Sequence, residues 1–176
     1  KHAKKHGLSV EEVDKLTGPI SGRPKSATFR TADVVGLDTL KNVSLTTYEK
    51  ASEDEERDKF QIPSILENLI EAGRLGQKTK SGFYKKNEDR SIHSVDLKTG
   101  EYGPMNAVRF DCFRVAKDRQ HLADKVKTLC DGDDRGSKYF WEITSKMLIY
   151  SANRIPEISD DIVNIDNAMK WGFGWE

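Results

Sequence analysis

The fold is decided by the stretch Gly7-Leu8-Ser9-Val10-Glu11-Glu12-Val13-Asp14, which has the pattern of an amphipathic helix with its amino-terminal cap. Ser9 and Glu12 have the spacing of a capping box, in which each side chain bonds a free backbone amide of the other residue. A glycine-proline pair follows and stops helices. The sequence therefore predicts a helix over about residues 9 to 17, with Gly22 free to adopt positive φ in the loop beyond it.

A second stretch near the end of the chain repeats this pattern. When Asp14 is aligned with Asp166, four further pairs of positions coincide. These pairs are Val10 and Ile162, Val13 and Ile165, Leu16 and Ala168, and Gly22 and Gly174. A helix with one apolar stripe must bury it, and a duplicated unit can bury the stripe against its own copy. We therefore expect two related helical units whose stripes, led by Val10 and Ile162, have equivalent surroundings.

Apolar periodicity predicts further helices along the chain. The apolar positions of the shorter predicted helices are Phe29, Val34 and Val35 from about Thr28; Leu40 and Val43 after a cap at Asp38; Ile65, Leu66, Leu69 and Ile70 after Pro63; Leu122, Val126 and Leu129; and Ile162, Ile165 and Met169. A long helix running toward Pro156 is rich in large residues such as Phe140, Trp141 and Leu148, so we expect it to be core.

Two segments interrupt the helical pattern. Residues 51–59 are acidic and are predicted to be a solvated connection. Residues 87–110 are polar, and their β-branched residues flank a Lys98-Thr99-Gly100 turn signal. The sequence therefore predicts a small β-ribbon, inserted between a first unit at 1–86 and a second, truncated unit at 111–176.

The composition limits the class of protein. Hydrophobic residues make up 36% and charged residues 33% of the 176 residues, and the mean hydropathy is −0.70. The 29 basic residues balance 29 acidic ones, which argues against the broad positive field of a nucleic-acid-binding protein. No apolar run reaches the length of a membrane span. Cys112 and Cys130 fit no metal-binding spacing and suggest a reducing compartment. We expect a cytoplasmic protein without nucleic-acid or membrane partners.

Both ends of the sequence suggest a fragment of something longer. The first seven residues have the character of the last turns of a helix that stops at Gly7, with basic residues near its carboxyl end. The chain closes on residues 171–176, in the middle of a glycine-rich loop. We therefore expect further sequence on both sides.

Possible metal sites are weak. Asp131, Asp133, Gly136 and Glu142 match four positions of a calcium-binding loop, but Arg135 would place a cation in the cavity. His2 and His6 have the i, i+4 spacing of metal ligands, but no nearby carboxylate or thiolate completes a motif. We interpret these two histidines as surface residues and expect no metal site. His93 and His121 are isolated, and a catalytic role is not expected for either.

Four motifs in order resemble one protein family. They are Gly7 to Asp14, Gly22-Arg23-Pro24 with Asp33-Val34-Val35-Gly36-Leu37-Asp38, Lys78-Thr79-Lys80-Ser81-Gly82-Phe83-Tyr84, and Ile165-Asp166-Asn167-Ala168-Met169-Lys170-Trp171-Gly172-Phe173-Gly174. Together they are similar to the C-terminal domain of 3-hydroxyacyl-CoA dehydrogenases, whose pattern includes G-aromatic-P, D-x-x-G-[LI]-D, K-T-G-x-G-F-Y and I-D-x-A-M-x-x-G-x-G. The resemblance covers about residues 1–86 and 137–176.

The chain departs from this pattern in the loop after Gly22. Arg23 replaces the aromatic residue, and the segment from Pro24 to Phe29 is one residue longer than the usual P-x-G-P-F. For this reason the details of the acyl pocket in common members of the family do not transfer directly.

The resemblance implies a fold and an activity. It implies a mainly α fold like the C-terminal domain of 6-phosphogluconate dehydrogenase, with two related helical units and the β-ribbon insertion. It also implies a part of an NAD-dependent enzyme of fatty-acid β-oxidation, with the histidine base, its glutamate and the NAD site in an upstream Rossmann domain. This chain has no strand followed by G-x-G-x-x-G. We therefore expect it to carry no catalytic residue and to be inactive alone.

In the family the helical domain forms a wall of the acyl-CoA cleft and carries oligomer contacts. The resemblance therefore makes two loops our candidates for substrate contact. Their candidate residues are Arg23, Pro24, Lys25, Lys78, Phe83 and Tyr84. The alternative is that Lys78, Lys80, Lys85 and Lys86 form a solvated basic edge and that the two aromatic residues are ordinary strand residues. The partners implied are acyl-CoA, the upstream Rossmann domain, a fused enoyl-CoA hydratase domain and a second copy in a homodimer.

Two other functions stay open at this point. The chain could be a non-catalytic helical interaction module of the same fold, or the helical domain of a related dehydrogenase for another hydroxy acid. A Rossmann fingerprint encoded upstream of Lys1 would favour an enzyme over a module. NADH production with CoA esters would separate the two kinds of dehydrogenase.

Overall fold

The computed structural model describes residues 1–176 and is mainly helical, with one small antiparallel sheet, which confirms the predicted fold class. The helices are α1 (His2–Lys5), α2 (Val10–Leu16), α3 (Phe29–Val35), α4 (Leu37–Lys50), α5 (Ser64–Glu71), α6 (Asp111–Lys117), α7 (Leu122–Asp131), α8 (Arg135–Asn153) and α9 (Ile162–Phe173). The strands are β1 (Tyr84–Lys86), β2 (Ile92–Val95) and β3 (Tyr102–Pro104). Short 3-10 turns cover Pro19–Ser21, Arg57–Phe60 and Gln77–Thr79. None of the helices combines the length and apolarity that crossing a bilayer requires.

The backbone divides into two compact units. We call residues 1, 9–11 and 28–106 the sheet unit, and residues 2–8, 12–27 and 107–176 the helical unit. This division follows the packing contacts. The predicted division into a first unit at 1–86, a ribbon at 87–110 and a second unit at 111–176 rests on an internal repeat, and it stays a prediction.

The sheet unit is built around one apolar cluster. Its α5 carries the predicted stripe, because Leu66 and Leu69 are buried and Ile65 and Ile70 pack against the same cluster. The other buried members are Val10, Leu37, Phe83, Tyr84 and Val95. Helix, loop and strand residues thus share a single interior, as a small unit requires to bury enough apolar area.

The sheet has the order β1-β2-β3, with both pairs antiparallel. The predicted hairpin is confirmed: Asp96 accepts the amides of Lys98 and Thr99, at 2.7 and 3.0 Å, in the turn between β2 and β3. The pairing of β1 with β2, in which Lys85 lies opposite His93, was not predicted. The ribbon is therefore continuous with the preceding strand, β1.

Some predicted inward positions of α3 and α4 are wrong. Val34, Val35 and Val43 are more than half exposed. Asp38 is also not a cap, because α4 begins at Leu37 and the Asp38 carboxylate bonds a lysine instead. The two helices are short or weakly amphipathic, so tertiary contacts to α5 and to the strand region decide which face is covered.

The helical unit has its buried centre where α6, α7 and α8 meet. Leu129 and Phe140 are almost fully buried there. Asp134 caps α8 by accepting the Ser137 amide, and it also accepts the Cys112 amide at the start of α6, each at 2.8 Å. This single carboxylate therefore fixes two helix starts. The sequence did not predict α6.

The expectation that α8 is core is only partly correct. Phe140 is buried, but Trp141, Leu148 and Ile149 are 55%, 53% and 61% exposed. In α9 no residue is buried, and Ile162 is 42% exposed. Periodicity identified the apolar faces, but much of the outer face of α8 and of α9 stays exposed, while Ile165 and Met169 are half-buried.

The two repeat-related helices agree in backbone but differ in burial. Gly22 and Gly174, which the repeat pairs, are both left-handed, with φ of 71° and 63°. Val10, however, is fully buried, whereas its partner Ile162 is not. The expected equivalence of surroundings is wrong, because the residues that cover Val10 come from the segment after Gly22 and no such segment packs on α9.

The interpretation of His2 and His6 as surface residues without a carboxylate partner is wrong. Both rings face Glu142 of α8, with His2 Nδ1 to Oε1 at 3.1 Å and His6 Nε2 to Oε2 at 2.5 Å. Lys5 and Lys146 donate to the same carboxylate at 2.9 Å. The cluster joins α1 to α8. The i, i+4 spacing of the histidines indicated the shared face, but the partner lies 136 residues away and could not be read from the sequence.

The charge on Glu142 should make the helical unit acid-sensitive. Hydrogen bonds from His6, Lys5 and Lys146 hold the pKa of Glu142 well below its usual range. A carboxyl whose pKa is lower in the folded state stabilises the fold above its unfolded pKa, roughly 4.3, and loses that contribution as the pH falls further. We expect Glu142→Gln to lower the Tm by a few degrees at neutral pH and the difference to shrink below about pH 4. Thermal unfolding at several pH values measures this, with Glu157→Gln as an exposed control; a pH-independent difference would contradict the prediction.

Candidate functional site

The central feature of the sheet unit is the buried carboxylate of Asp33 in α3. Its side chain accepts the backbone amide of Phe83 at 2.8 Å and that of Tyr84 at 2.9 Å. Asp33 is 5% exposed. A buried carboxylate is tolerated only when hydrogen bonds replace its hydration. The two amides serve this purpose and fix the start of β1 against α3.

Two glycines allow the loop to approach Asp33. A Cβ at Gly82 would lie 2.1 Å from the Asp33 carboxylate oxygen, and a Cβ at Gly76 would lie 2.3 Å from the Asp33 carbonyl oxygen. Both distances are impossible for real atoms, so the loop can close on α3 only with glycine at these positions.

The loop between these glycines is held by several further bonds. Lys78 Nζ contacts the Asp38 carboxylate oxygens at 2.7 and 2.6 Å, and this hydrogen bond lowers the pKa of Asp38. Thr79 Oγ1 accepts the Leu75 amide at 2.8 Å and lies 2.9 Å from the Ser81 carbonyl oxygen. The loop is therefore ordered by its own contacts and presents a fixed surface.

One residue of this loop is in an unusual conformation. Lys80 is left-handed, with φ of 58°, although it is not a glycine. For an L-residue this costs roughly 1 kcal/mol relative to glycine. Its side chain is exposed, so packing does not explain the choice of lysine.

The structure places the three predicted site residues of this loop differently from one another. Lys78 is exposed and paired with Asp38. Phe83 and Tyr84 are buried members of the apolar cluster; the Phe83 ring lies 4.5 Å from that of Phe29, and the Arg30 guanidinium lies 4.3 Å above the Tyr84 ring. Their packing thus agrees with the alternative of ordinary strand residues, and substrate contact stays a prediction.

The other predicted loop, Arg23-Pro24-Lys25, belongs to the helical unit. The Arg23 guanidinium lies 4.2 Å above the Trp175 ring, and burial lowers its pKa. The Glu176 amide donates to the Gly22 carbonyl at 2.8 Å. Arg23 thus stacks on the residue with which the predicted repeat pairs it, since the pairing of Gly22 with Gly174 also pairs Arg23 with Trp175. Pro24 and Lys25 are exposed.

A groove of about 690 Å³ in the helical unit lies along α6 and α7. Cys112 lines it together with several aspartates. Burial raises the pKa of the Cys112 thiol to about 11. The thiol is therefore protonated at neutral pH and is a poor nucleophile or metal ligand.

Comparison with known proteins gives these contacts a family context. Residues 2–86 match the family model of the 3-hydroxyacyl-CoA dehydrogenase C-terminal domain. Residues 2–86 belong to the C-terminal domain of the 3-hydroxyacyl-CoA dehydrogenase family. Within the C-terminal domain pattern, D-x-x-G-[LI]-D corresponds to Asp33 through Asp38, and both aspartates bind the loop that resembles K-T-G-x-G-F-Y, in which Lys80 replaces the first glycine.

Three relatives illustrate the range of similarity. A probable 3-hydroxyacyl-CoA dehydrogenase of Bacillus subtilis is 48% identical over 172 residues, covering 98% of this chain. A putative fatty acid oxidation complex trifunctional enzyme of Rickettsia felis is 24% identical over 96% of the chain. A 3-hydroxybutyryl-CoA dehydrogenase of Mycobacterium tuberculosis is 37% identical over 43% of it.

The chain spans only 22% of the length of the Bacillus and Rickettsia relatives and 25% of the Mycobacterium one. No solved structure matches the chain. The likeness to the C-terminal domain of 6-phosphogluconate dehydrogenase therefore stays a prediction.

The sequence motifs contain both halves of this site, the segment 33–38 and the segment 78–84, but they did not predict that the two segments bind each other. In sequence, Asp33 and Asp38 are parts of a motif and the glycines are loop punctuation. A signal was present, because an aspartate on a largely apolar helix requires donors when it is buried. The spacing of 50 residues between Asp33 and Phe83 concealed the partner.

The two hydrogen bonds that Asp33 accepts from the Phe83 and Tyr84 amides, which we call the Asp33 clamp, yield a direct prediction. Asp33→Asn leaves one carbonyl oxygen to accept one amide and turns an NH₂ group toward the other, so we expect a loss of about 2–4 kcal/mol of stability. Denaturant unfolding measures the loss, and hydrogen exchange of the Phe83 and Tyr84 amides should accelerate. Asp38→Asn is the control, because the exposed Asp38 pair should contribute far less. Equal effects of the two substitutions would contradict the clamp.

Proposed function

We propose that the chain is the helical C-terminal part of an NAD-dependent 3-hydroxyacyl-CoA dehydrogenase of fatty-acid oxidation. The observation that supports this most directly is the interlock of Asp33 and Asp38 with the loop 76–84, because it gives both family motifs a joint physical role. The names of the relatives from Bacillus subtilis and Mycobacterium tuberculosis agree with this activity.

The residues of this chain do not fit an NAD site. Dinucleotides bind where a parallel strand leads through a glycine-rich turn into a helix. Here the three strands form an antiparallel sheet, and Gly172 and Gly174 lie at the end of a helix rather than before one. We therefore assign no step of hydride transfer to this chain, and we propose that NAD and the catalytic base belong to an upstream Rossmann domain.

The proposed task of the chain is to bound the acyl-CoA cleft. The loops containing Arg23, Pro24 and Lys25 and containing Lys78, Phe83 and Tyr84 are the proposed wall. Because the two aromatic rings are buried, we propose that they support the wall from behind rather than touch the acyl chain. The trifunctional name of the Rickettsia relative supports a fused hydratase domain as a further partner. A homodimer and a cytoplasmic location complete the proposal.

The activity is tested on the full-length protein. We expect it to produce NADH from 3-hydroxybutyryl-CoA or a longer acyl homologue, and we expect the 176-residue chain alone to produce none. The absorbance of NADH measures both. No NADH from any CoA ester would refute the thioester activity, and turnover by the isolated chain would refute its non-catalytic role.

We also propose that the apolar face of α8 and α9 is covered in the full-length protein by residues equivalent to those that cover Val10. Eight large hydrophobic residues are exposed on or beside these helices. They are Trp141, Leu148, Ile149, Ile158, Ile162, Val163, Trp171 and Phe173. Exposed apolar patches of this kind mark surfaces that pack against something.

Substitution of leucine by alanine, in the 176-residue chain and in the full-length protein, tests whether the apolar face of α8 is covered. Leu129→Ala should cost about 2–5 kcal/mol both in the 176-residue chain and in the full-length protein, because Leu129 is fully buried. Leu148→Ala should cost almost nothing in the chain but about 2 kcal/mol or more in the full-length protein. Chemical unfolding of both proteins measures this. A Leu148→Ala variant that is neutral in the full-length protein would contradict the proposed cover.

A further inference from the structure

The segment that comprises the loop after α5 and strand β1 concentrates positive charge. From Arg74 to Lys86 the chain has five cationic residues and no carboxylate. They are Arg74, Lys78, Lys80, Lys85 and Lys86. All four lysines are exposed. In a chain whose net charge is zero, this is a strongly uneven distribution.

Most of these cations are not neutralised. Only Lys78 forms an ion pair, with Asp38. The Lys85 ammonium and the Arg74 guanidinium lie 5.6 and 4.9 Å from the centre of the same Tyr102 ring, where they keep their charge. Lys80 and Lys86 have no carboxylate partner. Lys80 and Lys86 are therefore available to an anion, while Lys85 and Arg74, which donates to the Gly100 carbonyl at 3.1 Å, keep their positive charge nearby.

The backbone brings Lys80 and Lys86 together. The Lys86 amide donates to the Lys80 carbonyl at 3.4 Å, so these two exposed side chains leave the surface at neighbouring points. The Gly76 amide bonds the Ser81 carbonyl at 2.7 Å, and the clamp on Asp33 fixes the following strand. A preordered loop binds its ligand without first paying an ordering entropy.

Lys80 gives a second, independent indication. Its backbone has φ of 58°, where a glycine would be less strained, and its side chain packs on nothing that explains a lysine. Strained residues of this kind concentrate at functional sites. The side chain of Lys80 is therefore a candidate for a role outside the fold.

We propose that residues 74–86 bind phosphate ester groups, with Lys80 and Lys86 contacting the phosphate oxygens and Arg74 and Lys85 adding neighbouring positive charge. The identity of the ligand, the phosphorylated part of a coenzyme A thioester, rests on the proposed function. The site itself rests on the charge and geometry of the loop. Lysine ammonium groups suit this task, because they bind phosphate as point charges without a strict geometry.

Titration of the 176-residue chain, followed by amide chemical shifts, tests the site. The ligands are coenzyme A, dephospho-coenzyme A, NADH, inorganic phosphate and pantetheine. We expect coenzyme A to shift the amides of residues 78–86, to bind more weakly as salt rises, and pantetheine to leave these amides unchanged. Weaker binding of dephospho-coenzyme A would identify the 3′-phosphate as the bound group, and equal binding of coenzyme A and NADH would identify the shared pyrophosphate. Equal shifts with pantetheine, or no shift in this loop, would overturn the proposal.

Substitutions locate the contact. Lys80→Ala and Lys86→Ala should each weaken coenzyme A binding about two- to five-fold, as expected for exposed charges. Lys50→Ala removes an exposed charge at the end of α4 and should change nothing. Lys80→Gly should raise the Tm, because it relieves the left-handed backbone, while it weakens binding. A higher Tm with unchanged binding would show that Lys80 contacts no phosphate.

The full-length protein separates this site from the proposed activity. If it oxidises 3-hydroxyacyl-CoA but the double substitution Lys80→Ala and Lys86→Ala leaves both KM and coenzyme A binding unchanged, the phosphate site is wrong and the activity stands. If coenzyme A binds the loop and no NADH is formed from any CoA ester, the activity is wrong and the site stands.

Discussion

The sheet unit depends on satisfying one buried charge. The Asp33 carboxylate is buried, and the free-energy cost of removing it from water is offset only while it accepts hydrogen bonds from the Phe83 and Tyr84 amides. This requirement sets where β1 begins and brings the loop so close to α3 that only glycine fits at positions 76 and 82. The rings of Phe83 and Tyr84 are then carried into the apolar cluster, and β1 offers an edge on which β2 pairs. Charge, close approach and apolar burial are thus joined at one contact.

How much the sequence predicted depends on the range of the interaction. The stripe of α5, the turn at Lys98-Thr99-Gly100 and the left-handed Gly22 were predicted, because each follows from residues a few positions apart. The exposed faces of α4 and α8 were predicted wrongly. Periodicity tells which residues share a face, but it does not tell whether another element covers that face. The clamp of Asp33 on residues 50 positions away was missed for the same reason.

The predicted repeat also separates what nearby residues determine from what distant segments determine. Gly22 and Gly174 have nearly equal φ, since a helix end is set by its own sequence. Val10 and Ile162 differ in burial, because burial depends on segments that follow each helix. Arg23 and Trp175, which the predicted repeat also pairs, differ in residue type and stack on one another. An arginine in place of an aromatic residue is therefore compatible with the stack, because a guanidinium packs well over an indole ring.

The balance of total charge proved less informative than its distribution. Equal numbers of acidic and basic residues argue against a broad positive field, and that conclusion concerns long polyanions such as nucleic acids. A single phosphate group responds to charges within about one Debye length, roughly 8 to 10 Å at physiological salt. Residues 74–86 carry five cations within such a short segment. The carboxylates that bind this segment are Asp33, which accepts backbone amides, and Asp38, which pairs only with Lys78. A neutral protein can therefore hold a local anion site, provided that the backbone keeps the cations together, which the Asp33 clamp and the Gly76–Ser81 bonds do here.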